Sequence, residues 1–453
     1  MKIKFVTLCF VCASLSVLTA RAQTAAPSSP PPLRPRVVAD QTATPVQPQR
    51  NVAPTPAPTA TPAIVPVPSL RTGTATEATP AAAGGIAPAP AGTTTPLSVV
   101  TPATAPPLVL QPISPLPVNK IRARIDEAQR ELKTHVVPTS LGSSLRWVTL
   151  AALDPETSRI HTLTLPKETI LNKNTDVTLA SSLGTLLRLR VVRPNYVNTA
   201  VVVSDLTGRQ LYPLVLEYPI EKRGIFKEMA YYTSAHPSLV TPELVRTGQT
   251  YVRTMIDLAA KRLKDKGVTI SPQLLDIAER LCLVEHVDHQ RFRMENRRAI
   301  YDEVFALYGL NELDTYKYSV STAGAGGMVQ MIPWTYQMIR QRHPAIGLNP
   351  DFVFGMRNHG NALEAMLLYM RMTWAEMSLD PDVISAMSAG WATQVDLMAA
   401  GYNSNPARLP GYIRRGGAAW RTLIPRETQM YLQIYKSVES LVPLKARDKQ
   451  DGE

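Results

Sequence analysis

The amino-acid sequence predicts a multidomain chain, with a mainly α C-terminal domain and a small all-β N-terminal domain that follows a disordered Pro-rich linker. Three observations predict it. Residues 23–118 are built from Pro, Ala and Thr and hold more than half of the chain's 40 prolines. They show no helical or strand period and cannot bury a core. Residues 119–220 carry short β-branched runs separated by turn residues. Residues 221–445 carry apolar residues at helical spacing over several long segments.

The first element is residues 1–22. Lys2 and Lys4 precede an apolar run from Phe5 to Leu18, and Ala20-Arg21-Ala22 closes it. A charged start, a short apolar core and an A-x-A exit predict a cleavable signal peptide, hence a periplasmic or secreted protein. The rival is a membrane anchor, but a run of about 14 residues is too short to span a bilayer as a helix. Removal of the signal leaves Cys282 as the remaining cysteine, so the core must stand on packing without an intramolecular disulfide. A net charge of +12 on an exported chain points to an acidic envelope polymer or a membrane surface rather than nucleic acid. The plain alternative is a solvated basic surface. Neither zinc-finger spacing nor an aromatic–basic strip accompanies the charge.

After the linker, NKIRARIDEAQRELKT has charge pairs four apart and reads as one helix. LRWVTLAAL, RIHTLTLP, DVTLASS, TLLRLRVVR, TAVVVSDLTG and LYPLVLEYP then read as strands of a small antiparallel sandwich or barrel. No catalytic cluster appears among them, so the expected role is accessory, including docking of an envelope protein partner.

In the helical part, Ser271-Pro272 reads as an N-cap followed by Pro at the first helical position. Leu274, Ala278 and Leu281 follow at spacings of four and three, and the next step of the stripe is Glu285, in RLCLVEHVDH. That phase predicts a carboxyl group on the buried face at the negative end of a helix. Desolvation and the helix dipole both disfavour its charged form there, toward an acid able to donate a proton near neutral pH. Two alternatives stay open. One is an ion pair with Arg291 or Arg293. The other is zinc, since Cys282-Leu283-Val284-Glu285-His286 places cysteine where an inverted zincin has histidine, with Asp288 and His289 nearby. Cys282 lies on the apolar side and reads as a small core residue. The expectation is therefore no metal and no cofactor.

Downstream, YSVSTAGAGGMVQMIPWTY gathers Gly324, Gly326 and Gly327 ahead of Pro333, which permits close backbone approach. It lacks the Gly-Lys-Ser/Thr of a phosphate loop. MAAGYNSNPARLPGY and LIPRETQMYLQIY follow.

Taken in this order, the stretches from Pro272 to Val438 resemble the Slt-type (soluble lytic) transglycosylase domain. In that family a helix ends in a catalytic Glu. The motifs S-x-x-G-A-x-G-x-M-Q-x-x-P, A-x-Y-N-x-G-P and P-x-E-T-x-x-Y come after it. Ser321, Gly324, Ala325, Gly327, Gln330 and Pro333 match the first motif, Tyr402, Asn403 and Pro406 the second, and Pro425, Glu427, Thr428 and Tyr431 the third. The chain departs in having His286 after the Glu, Val329 between Met328 and Gln330, and Asn405 before Pro406. The family's Glu also stands about nine residues before the Ser, and counting back from Ser321 gives Glu312. Glu285 is the favoured acid because an apolar helix leads into it, which makes residues 286–320 an insertion. Glu312 is the runner-up.

The resemblance implies that the helical domain is lysozyme-like and cleaves the MurNAc-GlcNAc bond of peptidoglycan with one carboxyl group, leaving 1,6-anhydroMurNAc ends. It implies that Tyr402 hydrogen-bonds the acid and that Ser321, Gln330 and Asn403 contact sugar. Glu427 and Tyr431 would brace the site. Glycan strands would be the partner. The competing readings are a catalytically inactive peptidoglycan-binding module of an envelope machine, a muramidase using a second carboxylate, and a zinc-dependent wall hydrolase.

Overall fold

A computed structural model describes residues 101–102, 109–134, 144–222, 224–313 and 323–448. The expected signal peptide, most of the Pro-rich segment and Ser321 lie outside the described residues. The expected first helix is α1 (Val118–Thr134). It buries Val118, Ile121, Ile125, Ala128 and Leu132, the alternating three-and-four spacing of one helical face.

The strands are β1 (Thr101–Pro102), β2 (Trp147–Leu153), β3 (Ile160–Pro166), β4 (Asp176–Ala180), β5 (Leu186–Arg193), β6 (Ala200–Asp205), β7 (Gln210–Lys222) and β8 (Ile225–Tyr232). They form one antiparallel sheet in the order β1-β4-β5-β6-β7-β2-β3, and β8 pairs with β7. The sheet curls until it nearly closes. Beyond the end of β4, the Ser182 N–H donates to Thr162 O of β3 at 3.0 Å, and the Thr162 N–H donates to Ser182 Oγ at 3.1 Å. Inward residues alternate along each strand. Leu150, Leu163, Val177, Leu179, Leu187, Leu189 and Val203 fill the interior.

This arrangement corrects the expected fold class, a mainly α lysozyme-like C-terminal domain plus a small all-β N-terminal domain. The observed chain has a nearly closed, barrel-like antiparallel sheet over residues 147–232, followed by a helical region with which it shares a core. The physical reason lies in β2 and β7. Both strands are buried on both faces, which an antiparallel sheet with one wet side would not be. Their outer residues Ala151, Leu153, Tyr212 and Leu214 join α1 and Leu244, Ala306, Leu307 and Leu310 of the helical region in one apolar cluster. A carboxylate reinforces the junction. Glu303 accepts from Arg193 at the end of β5 at 2.6 Å and from Arg291 at 2.8 Å.

A second correction concerns residues 225–232, expected in the helical part. IFKEMAYY is a strand, because the β7 edge offers its backbone a ladder from Leu216 to Lys222.

The chain also forms the four-residue helix α2 (Lys167–Ile170) before β4. The helical region comprises α3 (Pro242–Asp265), α4 (Pro272–Val284), α5 (His289–Met294), α6 (Arg297–Leu310), α7 (Pro333–Arg342), α8 (Phe352–Arg357) and α9 (His359–Met377). It continues through α10 (Pro381–Ser388), α11 (Gln394–Asn403), α12 (Leu409–Gly416) and α13 (Arg426–Leu441). Helix α4 lies against α3, α6, α9, α11 and α13, and most of its residues are buried. None of the described helices is long and apolar enough to cross a membrane.

Candidate functional site

Helix α4 starts at Pro272. Ser271 occupies the N-cap position, but its side chain makes no capping bond, so Pro272 and packing set this end. Leu274, Ala278 and Leu281 are buried, and the stripe delivers Glu285 to the C-cap position. There φ is −63° and ψ −18°, and the Glu285 N–H donates to Leu281 O at 3.0 Å. Glu285 is 2% exposed. Its Oε1 accepts a hydrogen bond from the Tyr431 hydroxyl of α13 at 2.7 Å.

The same helix carries a second buried carboxylate in a different setting. Glu279 is ion-paired to Arg447 at 2.7 Å and Arg253 at 3.3 Å. Burial pushes its carboxyl up, and Arg447 and Arg253 pull against that. Glu279 is thus a charge-paired structural group, and Glu285 accepts from the Tyr431 phenol.

The glycine-rich segment folds over the end of α4. Gly324, Gly327 and Gln330 have φ of 75°, 71° and 46°, so the chain reverses tightly. The Gly326 N–H donates to Met331 O at 2.9 Å, and Gln330 donates to Gly327 O from both its backbone N–H, at 3.2 Å, and its Nε2, at 2.9 Å. A Cβ at Gly327 would stand 2.3 Å from Met356 O, a separation only glycine avoids.

Two carbonyls of this segment accept from side chains outside it. His286 Nε2 donates to Met328 O at 2.9 Å, and the Tyr402 hydroxyl donates to Val329 O at 2.7 Å. His286 therefore ties the glycine loop to the residues that follow α4. Tyr308 adds a further tie, donating to Cys282 O at 2.8 Å.

The remaining expected residues fall as follows. Tyr402 and Asn403 end α11. Tyr402 packs edge-on against Tyr369 at 5.8 Å. Asn403 is buried, and its Oδ1 accepts from Thr428 Oγ1 of α13 at 2.8 Å. Thr428 and Tyr431 are one helical turn apart, so α13 grips both α11 and the Glu285 carboxyl. Glu427 lies half-buried in the first turn of α13, where a carboxylate suits the helix dipole. Gln330 is half-buried in the glycine loop.

Glu312 is placed elsewhere. It is ion-paired to Arg122 of α1 and lies exposed at the end of α6. Cys282 is fully buried, and burial pushes its thiol up, with Glu279 and Glu285 adding to the shift. That disfavours the thiolate a zinc ligand requires. Asp288 caps α5, accepting from the Arg291 N–H at 2.7 Å.

The structure thus brings together Glu285, Tyr431, His286, the 326–331 loop and Tyr402. Sequence reasoning did not single out Tyr308. The signal was present in the apolar period of AIYDEVFALYG, which turns Tyr308 inward.

No known protein family, curated protein or solved structure matches the chain.

Proposed function

We propose that the protein is an exported lytic transglycosylase acting on peptidoglycan, with Glu285 as its acid and base. One observation carries the reading. A carboxyl group buried at the C-terminal end of α4 accepts from a tyrosine hydroxyl and sits beside a glycine loop pinned by His286 and Tyr402. Burial disfavours the charged form of a carboxyl group relative to the neutral acid. The proton-donating step needs the neutral form.

In the proposed reaction the Glu285 proton passes to the glycosidic oxygen between MurNAc and GlcNAc as the C1–O bond breaks. The resulting carboxylate then takes the proton of the MurNAc C6 hydroxyl as that oxygen bonds to C1. The acid is restored, no water is consumed and a 1,6-anhydroMurNAc end remains. Tyr431 holds the carboxyl orientation through both transfers. Within the largely buried glycine loop, the half-buried Gln330 is the side chain suited to contact sugar.

Purified sacculi digested by the protein are expected to release anhydro-muropeptides. Glu285→Gln should abolish release, while Glu312→Gln, altering an exposed ion pair, should keep it. Full activity in Glu285→Gln, or loss in Glu312→Gln alone, would sink the assignment.

The 2% exposure of Glu285 also favours a second reading, a wall-binding module that does not cleave. Sacculus binding with no soluble product would select it.

A further inference from the structure

The sheet has one part that leaves the barrel. Strand β2 pairs with β7 only as far as Glu217, whereas β8 pairs with β7 on to Lys222. Beyond Tyr218, β7 and β8 pair only with each other among the described residues and form a two-stranded ribbon. Its turn includes Gly224, with φ of 75° and open space around it. Ile225 is 62% exposed, Phe226 is 44% exposed, and Lys227 is exposed.

Two features of this tip point to its partner. Successive strand residues face opposite sides, so Ile225 and Phe226 make both faces of the ribbon end apolar. A protein groove covering one face would leave the other residue in water, whereas a fluid apolar medium surrounding the tip buries both. The charges point the same way. The flanking acids are engaged, Glu221 with Lys167 at 2.8 Å and Glu228 with Arg357 at 3.3 Å. Lys227 is exposed at the same end of the ribbon. An apolar tip that carries an exposed cation suits the boundary between acyl chains and anionic headgroups.

We propose that the β7–β8 ribbon tip docks the protein on an anionic phospholipid surface, with Ile225 and Phe226 entering the acyl boundary and Lys227 among the headgroups. The proposal is independent of the role given to Glu285.

The test uses the full chain with vesicles of phosphatidylcholine containing roughly one-third phosphatidylglycerol, against phosphatidylcholine alone. The tryptophan introduced by Phe226→Trp should be quenched by brominated acyl chains in the anionic vesicles beyond the quenching of the parent protein. Ile225→Ser with Phe226→Ser should lower partitioning by about tenfold or more, with an unchanged melting temperature showing that the barrel is intact. Lys227→Glu should lower it by about fivefold at low salt, with the difference fading as salt screens the headgroups. No added quenching from Phe226→Trp would overturn the proposal. So would a double serine variant that partitions like the parent, or one that loses sacculus binding while vesicle partitioning stays unchanged. The last result would identify a wall polymer or wall protein as the partner.

Discussion

Tyr431 and Glu285 lie 146 residues apart in sequence, yet the Tyr431 hydroxyl donates to Glu285 Oε1 at 2.7 Å in the buried centre of the helical region. The bond joins the last helix to the end of α4. It gives the carboxyl one fixed orientation, with Tyr431 as its hydrogen-bond donor.

Tyr431→Phe removes that donor and leaves a buried carboxyl oxygen without it. The expected cost is about 1–3 kcal/mol of stability, read as a lowered denaturant midpoint. If Glu285 works as proposed, kcat for release of anhydro-ends should fall by roughly one to two orders of magnitude, in the range of a lost general acid–base positioning contact. KM should change little. A variant with wild-type kcat would show that the bond serves packing alone.

Gly327→Ala tests the loop. Its φ of 71° and the 2.3 Å approach of the Met356 carbonyl leave no room for a methyl group. The expected destabilisation is about 1–3 kcal/mol, accompanied by loss of the His286–Met328 and Tyr402–Val329 geometry. Thermal unfolding measures the first effect, and ring-resonance shifts of His286 measure the second. Gly347→Ala is the control, since open space surrounds that glycine at a similar φ of 70°. It should cost only the backbone strain.

Glu217 predicts a pH dependence of stability. It is 6% exposed on β7, opposite Thr149 and Tyr231, and burial pushes its carboxyl up to about 7, against a smaller opposing pull from the Tyr231 hydroxyl. The native state then binds more protons than the unfolded chain between the ordinary carboxyl value and about 7. Stability from this group is therefore full below the ordinary value and is lost as pH rises through about 7. Glu217→Gln should flatten that decline, and urea titrations across pH 4–8 would show it. An unchanged slope would place the charge sensitivity elsewhere.

Part of the site was legible from local phase. The spacing of Leu274, Ala278 and Leu281 carries a helical stripe onto Glu285, and the structure buries that residue at the helix end. Glycine at 324, 326 and 327 likewise pointed to close backbone approach, and at Gly327 the Met356 carbonyl leaves no room for a Cβ. The division of labour between the tyrosines was not legible. The Tyr402 hydroxyl donates to Val329 O, and the Tyr431 hydroxyl donates to the Glu285 carboxyl. Both tyrosines sit on apolar helical faces, and only the packing of α11 and α13 around α4 decides what each ring reaches.

The sheet divides in the same way. Residue alternation in LLRLRVVR and DVTLA determines which side chains face inward, because a strand's period is local. Alternation does not encode what covers the other face, or where the ring closes. Closure depends on Ser182 meeting Thr162, and the second buried face of β2 and β7 depends on α1 and α6 arriving from distant parts of the chain. The sequence by itself determined strands β2 to β7, the longer helices and a carboxyl at the end of a buried stripe, since each follows from neighbours a few residues away. Tertiary structure alone decided the barrel-like closure, the core shared between sheet and helices, and the tyrosine that meets Glu285. Those contacts join residues whose separation in sequence carries no periodic signal.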